Sequence, residues 1–305
     1  MYSRYMLEKI NEGERKCLEE QMICAVTGQQ TPIKYYALQK IGIGTFGLVY
    51  RIVVDGSLCY ALKCVFEKKT HMNRELEMHQ SLSHPNIVRL IWYFYGERNE
   101  NGVFLNLVME YVRSDLFSKI QERYVFSKDE FINYSIMLLD ALSYMHACGI
   151  AHRDIKPSNI LIDTEKALLK VCDLGSAKNI INCPNNILYI CSRYYRAPEI
   201  HLKQKYGMGI DVWSAGCVLF EMVVQEALFP GDTAEDCLTH IENLVLKDGL
   251  SQIIYSTGRS DLSDCFRILR KMIAYDPSRR ISASDALKYF KELQLTENLW
   301  KNVSE

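Results

Sequence analysis

His152-Arg153-Asp154-Ile155-Lys156-Pro157-Ser158-Asn159 is the stretch whose reading decides this chain. An aspartate able to accept a hydroxyl proton stands two residues before a lysine and five before an asparagine. The carboxylate can orient an attacking hydroxyl, the ammonium can meet negative charge on a group in transit, and the amide oxygen can hold a hard cation. A polar surface loop that happened to carry this order would make no demand on the rest of the sequence. A loop equipped for phosphoryl transfer makes several, because phosphates and a cation must be held elsewhere as well.

Downstream, Val171-Cys172-Asp173-Leu174-Gly175 ends an apolar strand at a second carboxylate. Ala197-Pro198-Glu199 follows, and Arg280 is the candidate partner for Glu199, as a bidentate Arg–carboxylate pair suits a buried anchor. Asp211 opens an apolar helix over 212–224, either as its cap or as a brace beneath the 152–159 loop. Upstream, Gly42-Ile43-Gly44-Thr45-Phe46-Gly47-Leu48-Val49 sits between two β-rich runs. Its glycines can expose backbone N–H groups to phosphates, although a plain hairpin accounts for the same pattern. Ala61-Leu62-Lys63 then places a lysine at an otherwise apolar strand position, which requires a partner because unpaired burial is costly. Glu75 in the next helix is the candidate, with Glu77 on a different helix face as the alternative.

Around these motifs the chain has ordinary globular texture. It has 305 residues, 48% hydrophobic and 24% charged, with a formal net charge of −1, so no overall field points to nucleic acid or anionic lipid. Its 11 cysteines are odd in number and without CxxC pairs, and no signal peptide precedes them, which suggests a reducing compartment, cytoplasm or nucleus. The longest apolar stretch, 212–224, contains Glu221 and is too short to span a bilayer, so no membrane partner is expected.

Four segments are expected. Residues 1–34 form an N-terminal extension, helical or disordered, because 5–26 has some helical periodicity and mixed charge. Residues 35–112 form a β-rich lobe with strands at 36–43, 47–54, 58–65, 88–95 and 103–111 and one helix over 71–83. Residues 113–290 form a helical lobe that includes an amphipathic helix over 131–148 stopped by Gly149. Residues 291–305 form a tail.

Taken in order, these motifs resemble a protein-kinase domain. The resemblance implies an α+β, two-lobed eukaryotic protein-kinase fold, with a five-stranded antiparallel N-lobe carrying one main helix and a mostly helical C-lobe. It implies ATP and Mg2+ as cofactors. Asp154 and Lys156 are the implied catalytic residues, with Lys63 on the nucleotide phosphates and Glu75 pairing Lys63. Asn159 and Asp173 would hold the metal. Leu174 stands where phenylalanine is usual, a change that keeps the apolar character. ATP contacts carry over to Ile41, Gly42, Gly44, Gly47, Val49, Ala61, Lys63 and Leu161, to the backbone of Glu110 and Val112 in Met109-Glu110-Tyr111-Val112, and to Asp115 at the ribose. Glu199, Asp211 and Arg280 take structural roles.

Within kinases, Tyr189-Ile190-Cys191-Ser192-Arg193-Tyr194-Tyr195-Arg196-Ala197-Pro198-Glu199 closely resembles the glycogen synthase kinase-3 (shaggy) family. So do Asn73-Arg74-Glu75-Leu76, the 210–219 stretch and Phe229-Pro230-Gly231-Asp232, and the resemblance covers about residues 36–290. It implies a serine/threonine kinase preferring protein substrates already phosphorylated four residues downstream of the target. Arg74, Arg153 and Lys178 match the positions that bind the priming phosphate, and Tyr189 matches an autophosphorylated tyrosine. Two features depart from the family: the N-terminus lacks an Arg-rich pseudosubstrate, and the stretch from Asp232 to Asp276 is short. The resemblance therefore implies a shortened member and gives no support to docking of axin-like scaffolds.

Overall fold

The computed structural model describes residues 17–44, 47–68, 74–181 and 190–304. They divide into two units: one takes the residues up to Ser83 with Val88–Tyr111, and the other takes His84–Ile87 with everything from Val112 onward.

The first unit is an antiparallel sheet with one helix. Its strands are β1 (Cys17–Cys24), β2 (Gln30–Gly44), β3 (Gly47–Val54), β4 (Leu58–Lys68), β5 (Leu90–Asn99) and β6 (Gly102–Glu110), in the order β1-β2-β3-β4-β6-β5. The far end of β1 also pairs with β5, Ile23 opposite Tyr93 and Cys24 opposite Trp92. Leu18, Met22, Tyr35, Ile52, Leu62 and Val108 meet in its core. The helix α1 runs Glu75–Ser81.

Here the sequence reading needs correction. Residues 17–34 are neither helical nor disordered: they make the β1–β2 hairpin and raise the sheet to six strands. Leu18 and Met22 are buried at 5% and 0% exposure. Their spacing of four suits one face of a helix and equally one face of a strand, so it could not separate the two periods. The turn that decides the matter carries Gly28 at φ +71°.

The second unit is mainly helical: α2 (Leu116–Gln121), α3 (Lys128–Ala147), α4 (Pro198–His201), α5 (Gly209–Val224), α6 (Ala234–Ile241), α7 (Gly249–Ser256), α8 (Ser263–Met272) and α9 (Ala283–Ser304). Short strands lie among them: β7 (Ser114–Asp115), β8 (Ile150–Ala151), β9 (Ile160–Asp163), β10 (Leu168–Val171) and β11 (Lys178–Asn179). Ser127 and Glu130 form a capping box, so α3 begins three residues before its first apolar residue, Phe131. It stops before Gly149, which has φ +76°. Residues 291–304 are no separate tail, because α9 continues through them, with Phe290 packed on Phe131 of α3 at 6.4 Å.

The boundary near 112 also needs an exception. His84–Ile87 belongs with the second unit: the Asn86 side-chain amide donates to the Leu169 carbonyl at 2.9 Å, and the Val171 N–H donates to the Asn86 carbonyl at 2.8 Å. Among the described residues no helix is long and apolar enough to cross a membrane.

Candidate active site

Each unit carries its own set of functional side chains. In the first, β4 places Lys63 opposite Val49 of β3 and Leu107 of β6, at 6% exposure. Its ammonium donates to Glu75 Oε1 at 2.6 Å, and Glu75 is fully buried at the start of α1. The requirement that a buried lysine be paired is met by this carboxylate and not by Glu77, which is exposed. Arg74 precedes Glu75 and is exposed. The adjacent residues are rotated by about 100° around the helix, so the inward Glu75 and outward Arg74 follow from one backbone.

The glycine motif ends β2 and opens β3, with Gly42 opposite Val49 and Gly44 opposite Gly47. Thr45 and Phe46, between them, lie outside the described residues. At Gly47 a Cβ would come within 1.9 Å of the Cys64 carbonyl oxygen, so close approach of β4 demands glycine there whatever the loop binds. Ile41 is exposed, and Val49 and Ala61 are half-buried. Glu110 accepts the Arg89 N–H on Oε1 at 2.7 Å and donates its own N–H to the Arg89 carbonyl at 3.1 Å.

In the second unit the 152–159 loop is braced from below. Asp211 of α5, 1% exposed, accepts the N–H of His152 on Oδ2 and the N–H of Arg153 on Oδ1, both at 2.8 Å. His146 of α3 approaches Oδ2 at 2.9 Å. Full burial alone would raise the Asp211 pKa, but His146, His152 and the backbone donors hold it below the ordinary value. These bonds fix Arg153 at φ +67°, a strained conformation for a non-glycine residue.

Above this brace the polar groups converge on Asp154. Lys156 Nζ donates to Oδ2 at 2.8 Å, and Asn159 donates to the Asp154 carbonyl at 2.8 Å and to Oδ2 at 3.1 Å. The Cys172 N–H donates to the Asn159 carbonyl at 2.9 Å, and His152 Nε2 meets the Cys172 carbonyl at 3.0 Å. The chain is thereby pinned to the loop one residue before Asp173. Asp173 is left-handed at φ +62°, ψ 72°, and accepts the Gly175 N–H. With the Asn159 amide hydrogens turned to Asp154, its amide oxygen remains for another role. An amide oxygen and a carboxylate are hard donors suited to Mg2+.

The remaining sequence candidates fall as follows. Arg280 pairs with Glu199 through two bonds of 2.6 and 2.9 Å, with both side chains buried. Asp115 caps α2, accepting the Ser118 N–H at 2.7 Å. Val112 is buried, and Leu161 is half-buried on β9. Lys178 lies opposite Ala151 in the β8–β11 pair. Tyr189 lies outside the described residues. Two participants escaped the sequence reading: Ser192, which contacts Asp154, and His146. A histidine just before a glycine helix stop, a few residues from the loop, was the available signal for the second.

A paired lysine on a strand, a braced aspartate loop and an adjoining strained aspartate are the equipment of a protein kinase. The protein kinase domain model matches residues 35–290. The chain is 35% identical over 302 residues to the Probable serine/threonine-protein kinase MRK1 homolog of Encephalitozoon cuniculi, covering 93% of this chain and 95% of that protein. It is 36% identical to Protein kinase gsk3 of Schizosaccharomyces pombe and 35% identical to Protein kinase gsk31 of the same organism. Each match covers 88% of this chain, and 77% and 78% of those proteins. The chain belongs to the glycogen synthase kinase-3 family of ATP-dependent serine/threonine protein kinases.

Proposed function

We propose that this kinase prefers substrates already carrying a phosphate four residues beyond the target serine or threonine. The observation that carries this reading is the pairing of Lys178 with Ala151, two residues before Arg153. Two cations are thus anchored to one short stretch of backbone. Among the described residues, the hydrogen-bond partners of Arg153 are neutral: the Ser176 carbonyl at 2.7 Å and the Tyr206 hydroxyl at 3.2 Å. Its charge is left for an anion, and a phosphate dianion gains charge-assisted bonds from several cations. Arg74 is assigned the third cationic role.

In the proposed chemistry Asp154 orients the attacking hydroxyl and accepts its proton, while Lys156 balances charge on the transferred phosphoryl group. Lys63, held by Glu75, contacts the ATP phosphates. Asn159 and Asp173 are assigned to Mg2+, which when bound neutralises phosphate charge. Tyr189 is proposed as the autophosphorylated residue, leaving the three cations to the substrate.

The test uses paired S-x-x-x-S peptides, one phosphorylated on the second serine and one not, with ATP and Mg2+. Strong preference for the phosphorylated peptide, lost on Arg74→Ala, is expected. Equal rates with the two peptides sink the substrate preference and leave the kinase intact.

A further inference from the structure

The Lys63–Glu75 pair has a third member. His79 lies four residues after Glu75 on α1, so both side chains project from one helix face. Its side chain is 1% exposed, and its Nε2 stands 3.9 Å from Glu75 Oε1, the same oxygen that accepts Lys63 Nζ at 2.6 Å. Three ionisable groups with side chains 7%, 0% and 1% exposed are therefore centred on one carboxylate oxygen. The charged groups facing His79 are Glu75 from its own helix and Lys63 from β4. Arg74 and Glu77 are exposed.

We propose that His79 is a positioning residue, acting through Glu75, that makes the nucleotide-binding lysine sensitive to pH. The neutral imidazole fills the wall beside Glu75 without adding charge, and the carboxylate is matched one-to-one by Lys63. Histidine is the side chain whose ordinary titration falls between about pH 5 and 8. Once His79 is protonated, two buried cations compete for one carboxylate with little water to screen them. Either Glu75 turns towards the imidazolium or Lys63 is pushed from it. Both responses loosen the Lys63–Glu75 bond, so acidification weakens ATP binding before it touches the proton-accepting aspartate.

This proposal rests on Lys63 being the nucleotide-phosphate lysine, which Lys63→Met tests separately: full ATP use by that variant removes the premise. The experiment itself measures KM for ATP at about pH 6 and about pH 7.5 in wild type, His79→Leu and His79→Gln. Titration of ATP itself is common to all three proteins and cancels in the comparison. The ratio of KM at the lower pH to KM at the higher should be about threefold larger in wild type than in either variant. Loss of packing alone would change KM at both pH values alike and leave the ratio unmoved. An unchanged ratio in either folded variant overturns the proposal, and if the leucine variant does not melt cooperatively, the glutamine variant decides.

Discussion

Ser192 gives both its backbone N–H and its hydroxyl to one oxygen of Asp154, Oδ1, at 3.0 and 2.9 Å. The other oxygen is held by Lys156 and Asn159, and Lys156 Nζ also reaches the Ser192 hydroxyl at 3.2 Å. The carboxylate plane is thus fixed from both sides before any substrate arrives. Ser192→Ala keeps the backbone bond and loses the two hydroxyl contacts. We expect kcat to fall roughly tenfold, equivalent to one hydrogen bond of about 1.4 kcal/mol, with KM for ATP little changed. Steady-state kinetics check this, and an unaltered kcat would remove Ser192 from the positioning of Asp154.

Lys63→Met and Asp173→Ala should each abolish phosphate transfer while leaving a cooperatively folded protein. Radiolabel transfer and thermal melting read the two halves of that statement. Full activity in either purified variant overturns the assignment of its residue.

The Arg280–Glu199 pair is fully buried and bidentate, so removing one partner strands the other charge. Arg280 also donates to the carbonyls of Ala274 at 3.1 Å and Gly209 at 3.0 Å. Arg280→Ala should cost about 3–5 kcal/mol. Urea unfolding measures it. A loss within the range of ordinary surface substitutions would show that this anchor contributes little.

Two buried carboxylates of α5 should respond to pH in opposite senses. The pKa of Asp211 is lowered when folded, despite burial, by His146, His152 and backbone N–H donors. Its contribution is therefore complete above the unfolded value near 3.8 and is lost as pH falls towards the folded pKa. Glu221 is raised from 4.5, by burial first and against the bond from the Tyr195 hydroxyl at 2.8 Å. The folded state favours its protonated form, so stability is lost as pH rises from 4.5 through the folded pKa. Glu221→Gln keeps an oxygen for Tyr195 and removes the titration. It should flatten the rise-with-acid in Tm between 4.5 and neutrality, whereas Asp211→Asn should lower Tm at neutral pH and blunt the fall below 3.8. Parallel Tm profiles for wild type and Glu221→Gln would refute the first half.

The parts of the site that were legible in the sequence are those whose chemistry forces neighbours in the chain. Asp154, Lys156 and Asn159 must share one loop, and a lysine among apolar strand residues demands a carboxylate. The charge requirement also suggested Arg280 for Glu199, 81 residues away, because few buried partners suit a carboxylate. What escaped was fixed by tertiary packing alone. His146, Ser192 and His79 are ordinary at their own positions and become informative only beside Asp211, Asp154 and Glu75. His84–Ile87 reads as a connector between a helix and a strand. Its membership of the second unit comes from backbone bonds to 169–171 that no local pattern announces. The β1 strand failed for a different reason, since Leu18 and Met22 satisfy both periods.

The β1–β2 hairpin bears on solubility as well as on the fold count. An outer strand with unpaired N–H and carbonyl groups is a template for another chain. Here β1 covers β2 along its length and touches β5 at Ile23 and Cys24, so one short strand shields the borders of the sheet at two places. A protein trimmed to begin at residue 35, where the kinase match begins, would lose that cover together with Leu18 and Met22 from the core. Its first failure would be self-association through bared strands, with the chemistry of Asp154 left untouched.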